Sequence, residues 1–169
     1  MGIANTRTTR QTITIIFFAW LIWIGIDFLF HASLLQSFWN ASIAAFKKPN
    51  ELFSLIPYGY LSFLLLTVFL YLLVSKIREK NPNPNYLIYL AVISGLLLSG
   101  SNFFAQYSYL NIPPVTLLIF NAVYFIEIVV SVYVIGRGIE QYHLKQYGWR
   151  VFLAFILMII TGLIIQNIH

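Results

Sequence analysis

Two acidic residues stand inside long apolar runs, where lipid would penalise them. Asp27 and Glu127 differ in this from Glu51, Glu79 and Glu140, which lie between the apolar runs. An acidic side chain at mid-membrane costs about 2.5–3.5 kcal/mol on insertion scales, so such residues usually face the bundle interior and have a partner or a function. We therefore expect any specific chemistry of this chain to involve Asp27 and Glu127.

His31 follows Asp27 by four residues. On an α-helix this spacing places both side chains on one face, one turn apart, where the carboxylate can orient or charge the imidazole. With a helical rise of about 1.5 Å per residue, Asp27 lies roughly 12 Å below the outer end of its span and Glu127 roughly 20 Å below the outer end of its own. The sequence thus predicts a polar zone in the outer half of a bundle, with Glu127 at its floor.

Neutral polar residues are predicted to complete this zone. Asn102 and Gln106 match Asp27 and His31 in depth, and we expect them to act as neutral hydrogen-bond partners. Tyr124 lies one helical turn before Glu127, so that carboxyl is the first candidate partner for its hydroxyl. Asn121 lies about 120° off that face and is predicted to be a contact between helices.

Four interpretations of these polar residues are open. They are a satisfied hydrogen-bond network that fixes helix register, a binding site for a small ligand, proton or cation, acid–base catalysis on a lipid-soluble substrate, or a metal site. We predict the second. Its candidate residues are Asp27, as orienter or counter-ion, His31, as the titrating group, Glu127, as the deep proton acceptor, and Asn102, Gln106 and Tyr124.

Catalysis and metal binding have less support in the sequence. No nucleophile motif, phosphate loop or dinucleotide fingerprint accompanies the acids, so no catalytic residue and no cofactor is assigned. Asp27, His31 and Glu127 are the only metal-ligand candidates within the spans. Since they include a single histidine where catalytic metals commonly recruit two or more, no metal site is predicted.

The composition requires a membrane setting for these residues. The chain has 169 residues, of which 60% are hydrophobic and 9% charged, and it has no Cys. A soluble domain is about 45–50% apolar and about 25% charged. A soluble globular protein, a disulfide scaffold and a thiolate nucleophile are therefore excluded.

Five apolar runs are each long enough to cross a membrane, which takes about 20 helical residues. Unpaired backbone cannot be satisfied in lipid, so each run is predicted to be a helix. The prediction is an all-α protein with five transmembrane helices in one compact bundle, a single domain over residues 1–169. The predicted spans are 12–35, 52–76, 86–110, 114–137 and 149–168.

The basic residues predict the orientation. Eight of the ten Lys and Arg lie in the N-terminal tail and in the second and fourth connections, whereas the first connection holds Lys47 and Lys48 and the third holds none. Cytoplasmic connections carry the excess of Lys and Arg. We therefore expect a multi-pass protein of a cell membrane with its N-terminus in the cytoplasm and His169 outside.

Two details concern the outer side of the bundle. Trp39, Ile43 and Phe46 recur at helical spacing in the first connection, which predicts a short interfacial helix there. Pro57 lies five residues into the second run. It predicts either a kinked helix or a span that begins at Tyr58.

The segment Asp27-Phe28-Leu29-Phe30-His31-Ala32-Ser33-Leu34-Leu35, the Pro113-Pro114 turn and Glu127 resemble a group of small multi-helix prokaryotic membrane proteins that is uncharacterised in function. That group carries an Asp-x-x-x-His-x-x-Leu-Leu pattern in its first helix and an acid in a later one. The resemblance implies no activity. It implies that the same residues are the ones of interest.

An accessory subunit of a larger membrane complex, respiratory or oxygenase in kind, is the competing interpretation of the whole chain. In that case the polar residues serve helix packing, and other subunits cover the apolar surface. The predicted partners are the lipid bilayer together with other membrane subunits or further copies of this chain, and no nucleic acid. The two interpretations differ in what surrounds Asp27.

Overall fold

A computed structural model describes residues 7–40, 49–141 and 143–168, and these residues are almost entirely helical. The first span begins as an α-helix and continues without a break as a π-helix. The elements in chain order are α1 (Thr9–Asp27), a π-helix (Phe28–Leu34), α2 (Gln36–Asn40), α3 (Pro49–Lys80), α4 (Pro84–Tyr109), α5 (Pro114–Glu140) and α6 (Leu144–Ile168).

Five helices are long and apolar enough to cross a membrane, as the sequence predicts. They cover Thr9–Leu34, Ser54–Lys80, Pro84–Tyr109, Pro114–Glu140 and Leu144–Ile168. The second and fourth helices extend beyond the predicted limits at 76 and 137. The extension arises because Arg and Lys occupy the last turns of both helices, where cations interact favourably with the helix dipole.

The helix starts follow local sequence rules. Thr8 and Gln11 form a reciprocal capping box at the start of α1, with N···O distances of 3.0 and 3.3 Å. The Asn83 side chain accepts a hydrogen bond from the Asn85 amide at 2.9 Å and so caps α4. Pro114 begins α5, where the absence of a backbone N–H costs nothing.

Side-chain contacts between helices define two ends of the bundle. At the Arg78 end, Arg7 donates to the carbonyl of Ile139, and burial lowers the pKa of the Arg7 guanidinium. Tyr147 donates to the carbonyl of Val134 at 2.8 Å at the same end. At the opposite end, which we call the Trp39 end, α2 and the π-helix meet the last turns of α6.

Arg78 itself organises one end of the bundle. Its side chain is 3% exposed and donates to the three backbone carbonyls of the turn at 81–83, at 2.7, 2.8 and 3.0 Å. It also pairs with Glu140, which accepts a second bond from Arg137 at 3.0 Å. A residue that the sequence analysis counts only as a topology signal therefore holds the turn between α3 and α4 against the end of α5.

The buried core lies between α1, α3, α4 and α5. Its fully buried members include Ile15, Trp23, Leu70, Ile128 and Ile135. Large apolar side chains on the outside of α3 and α6 are exposed, in a pattern that suits contact with lipid. Those with the clearest spacing are Leu61, Leu65, Phe69 and Leu72 on α3 and Leu153, Leu157, Ile160 and Ile164 on α6.

Two predictions about the Trp39 end need comment. The helix α3 begins at Pro49 and runs through Pro57, so the alternative in which the span begins at Tyr58 is wrong. Pro57 lies in the ninth position of this long helix, and the packed turns on either side keep it continuous. The predicted interfacial helix is described only as α2, which contains Trp39, whereas Ile43 and Phe46 lie outside the described residues.

Candidate functional site

Asp27, His31 and Glu127 come together at the centre of the bundle. One ligand atom from each side chain lies within 4.8 Å of the corresponding atoms of the other two. Asp27 ends α1, His31 follows in the π-helix, and Glu127 lies at the middle of α5. We call these three residues the carboxylate–histidine cluster.

Glu127 is the most deeply buried member of the cluster. Its side chain is 2% exposed, and its Oε1 atom has no hydrogen-bond partner among the described residues. A buried polar atom without a partner costs about 1–3 kcal/mol, more when the group is charged. Such a cost is tolerated where the group has another use.

Two further unpartnered polar atoms surround Glu127 within the described part of the chain. The indole Nε1 of Trp23 and the hydroxyl of Ser131 are buried, and neither forms a hydrogen bond there. Trp23 stacks on Phe63 with a centroid distance of 5.3 Å, and this contact fixes its ring. The floor of the cluster therefore offers one acceptor, one donor and one hydroxyl that the described bundle leaves unused.

The acids of the cluster have no cationic partner in residues 7–40, 49–141 and 143–168. The ion pairs found there are Lys76 with Glu79, and Arg78 and Arg137 with Glu140. Each of these pairs joins residues at the Arg78 end of the bundle. When ionised, Asp27 and Glu127 would thus place two negative charges in a low-dielectric interior without compensation.

The π-helix is the local feature that positions His31, and it departs from the predicted regular α-helix. The amide of Leu35 donates to the carbonyl of Phe30 at 2.8 Å, a bond that spans five residues instead of four. The wider turn changes the angle between Asp27 and His31 from the one assumed for an α-helix. Segments of this kind are rare and occur frequently at functional sites.

Helix α6 supports the π-helix from outside. Gln166 donates to the carbonyl of Ala32 at 2.6 Å. Gly162 allows close approach, since a Cβ atom there would lie 2.7 Å from the ring of Phe28 and from the hydroxyl of Ser33. The conformation of the segment that carries His31 therefore depends on two small contacts with α6.

Aromatic rings cover His31 on the Trp39 side. The imidazole centroid lies 5.2 Å from Trp39 and 5.4 Å from Phe120, and these two rings are 6.2 Å apart. We call Trp39 and Phe120 the aromatic cover. It places apolar surface between the imidazole and the Trp39 end of the bundle.

Asn102 and Gln106 are committed to a different contact from the one predicted. Asn102 donates to the Asn121 side chain at 2.9 Å, and Asn121 donates to Gln106 at 3.1 Å and to the carbonyl of Leu117 at 2.8 Å. These bonds join α4 to α5, and among the described residues none links them to the carboxylate–histidine cluster. The prediction that Asn121 is a contact between helices is confirmed.

Tyr124 lies near the cluster without joining it. Its ring centroid is 6.1 Å from that of Trp23. Its hydroxyl forms no hydrogen bond with Glu127 in the part of the chain that the structure describes. The expected bond is absent there, although the two residues lie one turn apart on α5.

The sequence analysis missed Trp23 as a neighbour of the cluster. The signal was available, because Trp23, Asp27 and His31 recur at intervals of four residues. Phe120 carried no such signal, since nothing in the sequence brings it to the π-helix.

Comparison with known proteins leaves the site to be interpreted from its own geometry. No family model, curated protein or solved structure matches the chain.

Proposed function

We propose that the chain is a multi-pass membrane protein whose carboxylate–histidine cluster binds a cation. The observation that carries the proposal is the approach of Asp27, His31 and Glu127 within 4.8 Å, with a buried Glu127 oxygen that has no partner among the described residues. A cation supplies the compensation that the two carboxylates lack.

A contrast within the bundle supports binding over a purely structural role. Where this chain uses polar side chains to join helices, at Asn102, Asn121 and Gln106, the amides bond to one another at 2.9 and 3.1 Å. In the carboxylate–histidine cluster no mutual hydrogen bond is formed among the described residues. A network that served only to fix helix register would be expected to satisfy its own members.

The distribution of basic residues supports an orientation with the Arg78 end in the cytoplasm. The cluster then lies in the outer half of the membrane, and a cation enters from outside past the aromatic cover. In this orientation Glu127 is the deepest group and His31 the one nearest to the entrance.

The double variant Asp27→Asn/Glu127→Gln tests the proposal. The thermal unfolding temperature of purified protein in detergent is measured with chelator present, then after acidification, and then with divalent cations added. Wild type is expected to be stabilised by protons or by a metal ion, since either cation neutralises the two carboxylates. The double variant is expected to lose that response.

Glu79→Gln is the matched control, because Glu79 is an acid whose side chain is 63% exposed at the Arg78 end. It is expected to respond as wild type does. If wild type and the double variant respond equally to every cation, the cluster does not bind one and the proposal is wrong.

A further inference from the structure

Resting on the proposed cation site, we infer that the cation is a divalent first-row transition-metal ion held by Asp27, His31 and Glu127. The donor set favours this class. Imidazole nitrogen suits Zn²⁺, Fe²⁺, Ni²⁺ and Cu²⁺. Mg²⁺ and Ca²⁺ are bound by oxygen ligands in greater number.

Charge balance favours a divalent ion. Two carboxylates and a neutral imidazole carry a charge of −2, which one divalent ion cancels. Among the described residues no Lys or Arg pairs with either acid, so a monovalent ion would leave a net charge in the bundle interior. A neutral site is the least costly arrangement in a low-dielectric interior.

The distances are compatible with shared ligation after small side-chain movements. Ligands bonded to one metal at about 2.0–2.2 Å lie about 3.0–3.4 Å from each other. The candidate atoms lie within 4.8 Å of one another, so they need to approach by less than 2 Å, about what side-chain rotation supplies. The unpartnered Oε1 atom of Glu127 is available as one of these ligands.

Three protein ligands leave at least one coordination position open. Structural zinc sites fill four positions with protein groups, whereas sites that act on water or a substrate keep one free. Trp39 and Phe120 lie over His31 and restrict access of bulk water. The occupant of the open position is accordingly a water molecule or a small ligand that passes the aromatic cover.

Co²⁺ is the probe for the test, because its visible absorption reports coordination by nitrogen and oxygen. Protein purified without a histidine tag and stripped with chelator is titrated with CoCl₂ in detergent. We expect one bound ion per chain and a visible spectrum typical of four or five ligands. Zn²⁺ is expected to displace Co²⁺ and to abolish the spectrum.

Variants assign the ligands. His31→Gln, Asp27→Asn and Glu127→Gln are each expected to weaken Co²⁺ binding by about 100-fold or more, beyond the 10–100-fold effect of losing an outer-shell partner. His143→Gln and Glu79→Gln are the matched controls and are expected to bind as wild type. If a ligand variant does not fold, the stoichiometry and spectrum of wild type decide the result.

The outcomes separate this inference from the proposed function. If wild type shows no saturable Co²⁺ or Zn²⁺ binding, or if His143→Gln abolishes it while His31→Gln does not, the metal assignment is wrong. Should acidification still stabilise wild type and not Asp27→Asn/Glu127→Gln, the proposed cation site stands and its cation is the proton. When neither metal nor acid separates the two proteins, both proposals fail.

Discussion

Two polar residues on α5 are expected to respond in opposite ways to apolar replacement. Glu127 is 2% exposed with an unpartnered Oε1 among the described residues, whereas Asn121 is 5% exposed and forms three hydrogen bonds. The changes are Glu127→Met and Asn121→Leu, which replace each side chain by an apolar one of similar size. Both act on the same helix, six residues apart, so differences in helix propensity are small.

Glu127→Met is expected to raise the free energy of unfolding of the metal-free protein by about 1–3 kcal/mol. Apolar replacement of buried ionic groups is commonly neutral or stabilising by about 1–4 kcal/mol, and here the described residues offer no ion pair to lose. Asn121→Leu removes bonds at 2.8, 2.9 and 3.1 Å and leaves Asn102 and Gln106 without their partner. At about 0.6 kcal/mol per bond, with a maximum near 1.7, the expected loss is about 1–3 kcal/mol.

The measurement is equilibrium unfolding in mixed detergent micelles with chelator present throughout. Saturating metal should reverse the ranking of wild type and Glu127→Met, since an ion at 100 times its Kd adds about 2.7 kcal/mol to wild type alone. A Glu127→Met protein that is less stable than wild type in chelator, by as much as Asn121→Leu, would refute the reasoning. Glu127 would then be a structural hydrogen-bonding residue.

Three further predictions concern the ends and interfaces of the bundle. Arg78→Met should lower the free energy of unfolding by about 2–3 kcal/mol and Glu140→Gln by about 1 kcal/mol, because only the first removes the bonds to the turn at 81–83; equal losses would assign the stability to the ion pair instead. Gly95→Ala should cost about 1–3 kcal/mol in the same unfolding assay, since its Cβ would lie 2.7 Å from a side chain of α5, whereas Gly100→Ala, with nothing within 4 Å, should be neutral or slightly stabilising. A cysteine placed at Ser108 in this cysteine-free chain should react with an impermeant maleimide from outside the cell, and labelling from the cytoplasmic side alone would reverse the orientation.

The helices were predictable from the sequence because their signal is strong and local. Five apolar runs separated by proline-rich or charged turns leave few alternatives for a chain in a membrane. The limits of α3 and α5 were less predictable, since Arg78 and Glu140 read as connection residues until their mutual contact is known. A charged pair that forms between two helix ends has no signature in either segment alone.

The candidate site was predictable in its charged members and not in its neutral ones. Asp27 and Glu127 are conspicuous because lipid penalises acids, and His31 follows from its spacing to Asp27. Asn102 and Gln106 match them in depth, but depth alone does not fix direction around a helix axis. The structure directs both toward Asn121 on α5.

The π-helix could not be foreseen from residue types. Phe28–Leu34 contains no proline or glycine, and its local sequence is compatible with an ordinary α-helix. Its support comes from Gly162 and Gln166, more than 130 residues away along the chain. Tertiary contacts of this range are invisible to local patterns.

The π-helix also has a consequence for how this first span can change. Because each α-helical residue turns the chain by about 100°, deleting one residue between Phe28 and Leu34 would restore an ordinary helix and rotate everything that follows by about that angle. The direction in which Trp39 points is therefore set by a count of residues more than by their identities. A single-codon insertion or deletion could create or dismantle this arrangement while every residue of the cluster is retained.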